Sequence, residues 1–267
     1  MNLQRLKAAL KPVLNRVPGV GRLAQKSYGV MKAREEQRQL TKLHPDVEIV
    51  DYSGDERQAL LKQGFNSQHG QDHYLWTRHF EGQGPGVFVE IGCALPFVDN
   101  NSAWFEKQGW AGYAIDAQDR FAALWEKRKT PFVHAAVSDT KATRDFIRFT
   151  ENEGWEYNLG GFADVAQAED LATYEHEVIP VDCGPLIDLL PDLESCDLLL
   201  IDVEGAEEEV LRGVDLERLK PRCILIENNR SPGGDEPVRS HLRERGYRFA
   251  ARIDQTDDVF VRKEEIT

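Results

Sequence analysis

From about residue 87 onward, short apolar and β-branched runs alternate with stretches whose apolar positions recur every three to four residues. The runs at 87–91, 113–116, 132–137, 144–149, 178–181, 198–201 and 223–227 read as strands. Helices are predicted near 102–108 and 120–129, and after Gly184, Gly205 and Asp235. Strand and helix in alternation predict an α/β fold with a mostly parallel sheet. The last two runs, at 247–252 and 258–262, lie too close for a crossover helix, so they are expected to pair as an antiparallel hairpin.

The N-terminal segment has a different pattern. Leu3, Leu6, Leu10, Val13 and Val17 fall on one helical stripe, with Arg5, Lys7, Lys11 and Arg16 around it. Pro12 kinks this helix and the Pro18-Gly19 pair ends it, before a second helical stretch at 23–43. Residues 1–44 hold ten Lys or Arg against two acids, so this basic amphipathic arm carries +8 and the domain at 45–267 carries −21. Two uses stay open: peripheral contact with an anionic membrane, at about 1 kcal/mol per basic residue, or packing on the body or on a second copy in a homo-oligomer.

Composition narrows the class. A chain of 267 residues that is 41% apolar and 30% charged can build a core and stay soluble. No apolar run reaches the ~18 residues of a membrane helix, and Lys7, Lys11 and Arg16 interrupt any signal-peptide core, so a cytoplasmic location is expected. The net charge of −13 disfavours nucleic acid as a partner. Four cysteines without a C-x-x-C pair disfavour a zinc site or a disulfide framework.

In a doubly wound sheet, ligands bind beyond the carboxyl ends of the strands. The first strand ends Glu90-Ile91-Gly92 and the second ends in Asp116, placed to accept hydrogen bonds from two ribose hydroxyls. The loop Gly92-Cys93-Ala94-Leu95-Pro96 lacks the G-x-G-x-x-G that cradles a pyrophosphate, and no P-loop motif is present. A nucleoside without a diphosphate remains. S-adenosylmethionine fits, because its ammonium and sulfonium suit a carboxylate neighbour such as Glu90.

Five ordered blocks then carry a resemblance. They are Ser67-Gln68-His69-Gly70-Gln71-Asp72; Phe88-Val89-Glu90-Ile91-Gly92; Asn101-Ser102 with the run from Phe105 to Asp116; Ala136-Val137-Ser138-Asp139; and Ile201-Asp202-Val203-Glu204-Gly205-Ala206-Glu207. Together they resemble the FkbM-type methyltransferases over roughly 66–228. The resemblance implies a Rossmann-like class I methyltransferase fold, with a seven-stranded, mostly parallel sheet whose last strand inserts antiparallel. It implies an S-adenosylmethionine-dependent O-methyltransferase acting on a carbohydrate hydroxyl of a polysaccharide, glycolipid or glycosylated metabolite. The blocks and strand ends nominate Gln68, Asp72, Glu90, Gly92, Cys93, Asn101, Asp116, Ala117, Ser138 and Asp139 for the cofactor. Two departures stand out: Ala94-Leu95-Pro96 replaces the family's N-D-G, and Gln71 replaces a glutamate. Either the methionine end of the cofactor is held differently, or the chain is a non-enzymatic scaffold; a methyltransferase for a non-sugar small molecule is the other alternative.

Asp202, Glu204, Glu227 and Asn228 lie at two neighbouring strand ends and could converge as oxygen ligands for Mg²⁺ or another divalent cation. The same acids equally suit a helix N-terminus. Without metal, Asp202, Glu204 or His69 is the candidate general base. The stretch 152–174, with Trp155, Tyr157, Asn158 and Phe162, is read as a cover for the acceptor or as an ordinary packed loop.

Overall fold

The central strands are apolar at nearly every position because both of their faces are covered. Val89, Ile91, Leu199, Ile201, Ile224 and Ile226 pack into one buried cluster. Phe88, Leu198, Leu200, Cys223 and Leu225 alternate with them and pack into a second, around Phe80, Phe105 and Trp110. The computed structural model describes residues 35, 37–150, 158–165, 168–229 and 234–263. The chain divides into two units, Met1–Asp46 and Val47–Thr267. In the first unit a helix covers 37–43; the apolar stripe at 3–17 lies outside the described residues. Among the described residues no helix is long and apolar enough to cross a membrane.

In the second unit, twelve described strands form two sheets. In chain order they are β1 (Glu48–Val50), β2 (Val87–Ile91), β3 (Ala111–Asp116), β4 (Phe132–His134), β5 (Ala136–Val137), β6 (Ala142–Phe149), β7 (Gly160–Phe162), β8 (His176–Gly184), β9 (Leu198–Ile201), β10 (Cys223–Glu227), β11 (Tyr247–Ile253) and β12 (Asp257–Arg262). The main sheet runs β1-β11-β12-β10-β9-β2-β3-β4. Only β12 opposes its neighbours, pairing antiparallel with both β10 and β11. The sheet is therefore mixed and has eight described strands rather than the expected seven, because β1 adds to its edge beside β11. That short strand has no periodic signal. The helix that follows it, Gly54–Gln63, is marked at its start instead, where Ser53 and Glu56 form a reciprocal capping box.

The second sheet, β5-β8-β6-β7, corrects the expectation that 144–149 and 178–181 extend the first. The run at 132–137 divides: β4 pairs with β3, and β5 pairs with β8. Apolarity does not mark the break, because Ala135 is itself buried. In β6 the charged Arg144, Asp145 and Arg148 are interspersed with buried Phe146, Ile147 and Phe149, so apolar positions fall on both faces of the strand. Arg148 pairs with Asp119 and Glu177, while Phe146, Phe162, Val181 and Cys183 pack with Ala117 and Ala206. The small sheet thereby covers the carboxyl ends of β3 and β9. The helix expected at 120–129 is a short 3-10 turn followed by Ala122–Trp125.

Candidate active site

A cavity of about 410 Å³ opens at the carboxyl ends of β2, β3, β9 and β10. Its nearest wall is the loop after β2. Gly92 makes that loop possible: it has φ +80°, and a Cβ on it would lie 1.6 Å from the Asp202 carbonyl oxygen. Ala94 and Asp99 are also left-handed, at φ 42° and 51°, conformations non-glycine residues hold only when their surroundings enforce them. Trp125 Nε1 donates to Ala94 O at 2.8 Å and Arg128 Nη1 to Pro96 O at 3.2 Å. Leu95 packs beside Phe121 and Trp125 rather than into the cavity. The altered loop is thus fastened from outside and leaves the hollow open.

Glu90 gathers the next turn of this loop. Its carboxylate accepts hydrogen bonds from Asn100 Nδ2 (3.0 Å), Asn101 N (3.1 Å) and Ser102 Oγ (2.6 Å). Burial pushes its carboxyl above the usual range, opposed by the charge of Arg128 and these donors. Asp116 accepts from Ala94 N at 2.9 Å and Gln118 N at 2.8 Å, and burial pushes it up to about 6. Asn101 Oδ1, Gln118 Oε1 and Asn158 Oδ1 are buried without a hydrogen-bond partner among the described residues, and all three residues line the cavity. A buried, unpaired acceptor costs about 1–3 kcal/mol, so this wall suits a ligand that brings N–H or O–H donors.

The other end of the cavity is acidic. Asp202, Glu204 and Glu227 each offer an oxygen, all within 4.8 Å of one another. Glu204 has φ 54° and precedes Gly205 at φ 104°, a turn that brings the carboxylates together. Desolvation raises the Asp202 and Glu227 carboxyls, and their mutual repulsion with Glu204 adds to the rise. His69 stands at this end with Nδ1 2.6 Å from Asp254 Oδ2. Asp254 is presented by the β11–β12 turn, in which Asp254 and Gln255 are left-handed and Thr256 N donates to Ile253 O at 3.0 Å. Glu90, Asp99, Asp116, Asp202, Glu204 and Glu227 give the lining six carboxyl groups, and no Lys or Arg is among its described residues. Such a surface repels phosphates and favours cations.

Gln68, His69, Glu90, Gly92, Cys93, Asn101, Asp116, Ala117, Asp202, Glu204 and Glu227 all line the cavity. Four nominated residues do not. Asp72 is buried beneath the 66–72 turn, accepting from Asn66 N at 2.6 Å and Ser67 Oγ at 2.5 Å. Ser138 donates to Glu209 at 2.6 Å, and Asp139 faces Arg212 at 2.6 Å. Asn228 has both ends of its amide engaged elsewhere: Nδ2 donates to Asp258 at 2.8 Å and Oδ1 accepts from Asp235 N at 2.6 Å. Gln71 gains a reason: it accepts from His69 N at 2.6 Å and donates to Asp257 Oδ2 at 2.9 Å, whereas a glutamate could not donate to a second carboxylate. Gln118, Asn158, Asp254 and Thr256 were not foreseen as a group. Asn158 belongs to the 152–174 stretch read above as a cover for the acceptor, and Gln118 carries a signal in standing two positions after the acid that ends β3. Trp155 and Tyr157 lie outside the described residues.

An α/β protein with a mixed sheet and an acidic, nucleoside-sized cavity at its carboxyl edge is the class these features define. Residues 82–249 match the methyltransferase FkbM domain, and the chain belongs to this family. Among solved structures it is similar to the methyltransferase FkbM from Methylobacillus flagellatus KT, with 10% identity and a TM-score of 0.47, over 73% of this chain and 48% of that one. The chain thus spans about half the length of that relative. No curated protein sequence matches it.

Proposed function

We propose that the chain is an S-adenosylmethionine-dependent O-methyltransferase whose acceptor is a carbohydrate hydroxyl. One observation carries the cofactor half: a cavity with six carboxyl groups and no Lys or Arg among its described lining residues, into whose lining three residues with orphaned amide oxygens also fall. Asp116 would accept from the ribose hydroxyls, Gln118 and Asn158 from the base, and Glu90 with Asn101 would face the positively charged methionine end. When bound, the cofactor supplies a methyl group on a sulfonium, already an activated leaving group. The protein's main contribution is then alignment in an enclosed pocket, worth about 7–11 kcal/mol.

His69 is assigned the acceptor's proton, because Asp254 holds Nδ1 and leaves Nε2 as the free ring nitrogen. His69→Ala is expected to lower kcat by about a hundredfold or more while changing the affinity for S-adenosylhomocysteine less than threefold; steady-state kinetics and calorimetry check the two halves. The polar, carboxylate-rich acceptor end supports a polyhydroxyl substrate. Methyl transfer from radiolabelled cofactor onto saccharide and non-saccharide pools tests this, and incorporation only into the latter removes the carbohydrate claim.

The triad of Asp202, Glu204 and Glu227 favours a second reading in which Mg²⁺ or a similar ion is held there and draws charge from a bound hydroxyl. Loss of activity on exhaustive chelation, restored by Mg²⁺, is its expected result; activity that survives leaves the proton to His69.

Asp116 also sets a pH dependence. At about 6 against an ordinary 3.8, its buried carboxyl binds a proton more tightly in the folded than in the unfolded chain. Its contribution to stability is therefore fully present below about 3.8 and lost as pH rises through about 6, at a cost of about 3 kcal/mol. Ribose hydroxyls need the anion. Affinity for S-adenosylhomocysteine is expected to be flat above about pH 7 and to fall, approaching tenfold per unit, below about 6. Affinity constant down to pH 5 would contradict the role.

A further inference from the structure

Arg128 lies just after the helix Ala122–Trp125 and does not line the cavity. Its side chain is 1% exposed. Nη1 donates to Asn100 Oδ1 at 2.9 Å and to Pro96 O at 3.2 Å, Nε meets Glu106 at 3.2 Å, and the guanidinium covers the Trp125 ring at 4.5 Å. Nη2 is buried without a hydrogen-bond partner among the described residues, and a buried charge of this kind is costly to install unless it holds something in place.

What it holds is the orientation of one amide. Asn100 Oδ1 takes the Arg128 bond together with those of Ser102 N (3.1 Å) and Ala103 N (2.8 Å). Flipping the amide would turn its NH₂ toward a guanidinium and two backbone N–H groups. The NH₂ is therefore fixed on Glu90 Oε2, at 3.0 Å. The next residue, Asn101, donates its N–H to the other Glu90 oxygen at 3.1 Å and lines the cavity.

We propose that Arg128 is a positioning residue for cofactor capture: through Asn100 it orients the Glu90 carboxylate, and through Pro96 O it sets the loop that brings Asn101 to the cavity. The proposal rests on the cofactor reading above. Arg128 also places a permanent positive charge near Glu90, which favours the anion that a cationic ligand requires. A residue acting in this way should change how tightly the cofactor is held far more than how fast the methyl group moves once it is bound.

The test is calorimetric titration of S-adenosylhomocysteine into the full chain, with kinetics at saturating cofactor. Arg128→Met is expected to weaken binding by about tenfold to a hundredfold and to leave kcat within about threefold. Arg128→Lys, which keeps the charge, should recover most of the affinity. Because Arg128 acts through Asn100, the double variant of Arg128→Met with Asn100→Ala should bind no more weakly than the weaker single variant. A folded Arg128→Met protein with native affinity, or losses that add in the double variant, would overturn the proposal. If Arg128→Met does not fold, Arg128→Lys decides: unchanged affinity of Arg128→Lys and a full loss in Asn100→Ala support the relay, and native affinity of Asn100→Ala overturns it. A native chain that binds no S-adenosylhomocysteine fails the cofactor reading itself.

Discussion

Replacing Asp116 with alanine is expected to weaken S-adenosylhomocysteine binding by about a hundredfold or more. Each hydroxyl donated to a charged acceptor contributes about 1.5–3 kcal/mol, and the two ribose hydroxyls would both be deprived of theirs. The loss extends to the protein's own contacts, since Ala94 N and Gln118 N donate to the same carboxylate at 2.9 and 2.8 Å. Asp116→Asn keeps an acceptor for one of these and should fall between the native protein and the alanine variant. Calorimetry reads both variants directly. Equal affinity in all three proteins would remove Asp116 from ribose binding.

Gly92→Ala is expected to be the most damaging single methyl group that can be added to the molecule's active site. The position combines φ +80° with a Cβ only 1.6 Å from the Asp202 carbonyl oxygen. The left-handed conformation alone costs about 1–3 kcal/mol in such cases, and the clash can be relieved only by moving the end of β2 away from the end of β9. Val203 Cγ1, at 3.3 Å from the same Cβ, blocks the nearest route of escape. A loss of at least about 3 kcal/mol in urea denaturation, or failure to fold, is the expected outcome. Native stability in Gly92→Ala would mean that the two strand ends do not approach as described.

The parts of this architecture that were legible in the sequence are those whose physics is local. Val87–Ile91, Leu198–Ile201 and Cys223–Glu227 show as strands because burial on both faces demands continuous apolar residues. Glu90, Gly92 and Asp116 show as site residues because an acid or glycine at the end of such a strand is out of place in a core. The parts that were not legible depend on long-range placement. The division of 132–137 into β4 and β5 occurs at a buried alanine, so nothing in hydropathy marks it. Asp254 meets His69 across 185 residues of chain because two left-handed residues turn the last hairpin toward the cavity. Ser138 and Asp139 belong to a matching block yet pair with Glu209 and Arg212, because the chain leaves the cavity just after β5, whose Ala136 and Val137 still line it. The loop Ala94-Leu95-Pro96 reads as a defect until Trp125 and Arg128 are seen to hold its carbonyls.

The most direct measurement is a crystal structure of the chain soaked with S-adenosylhomocysteine. Density is expected along the ends of β2 and β3, with both ribose hydroxyls on the Asp116 carboxylate, the amino group toward Glu90 and Asn101, and the sulfur facing the end that holds His69 and Asp202. Density that leaves Asp116 bonded to Ala94 and Gln118 alone, with the ligand bound elsewhere or not at all in well-folded protein, would contradict a nucleoside site in this cavity.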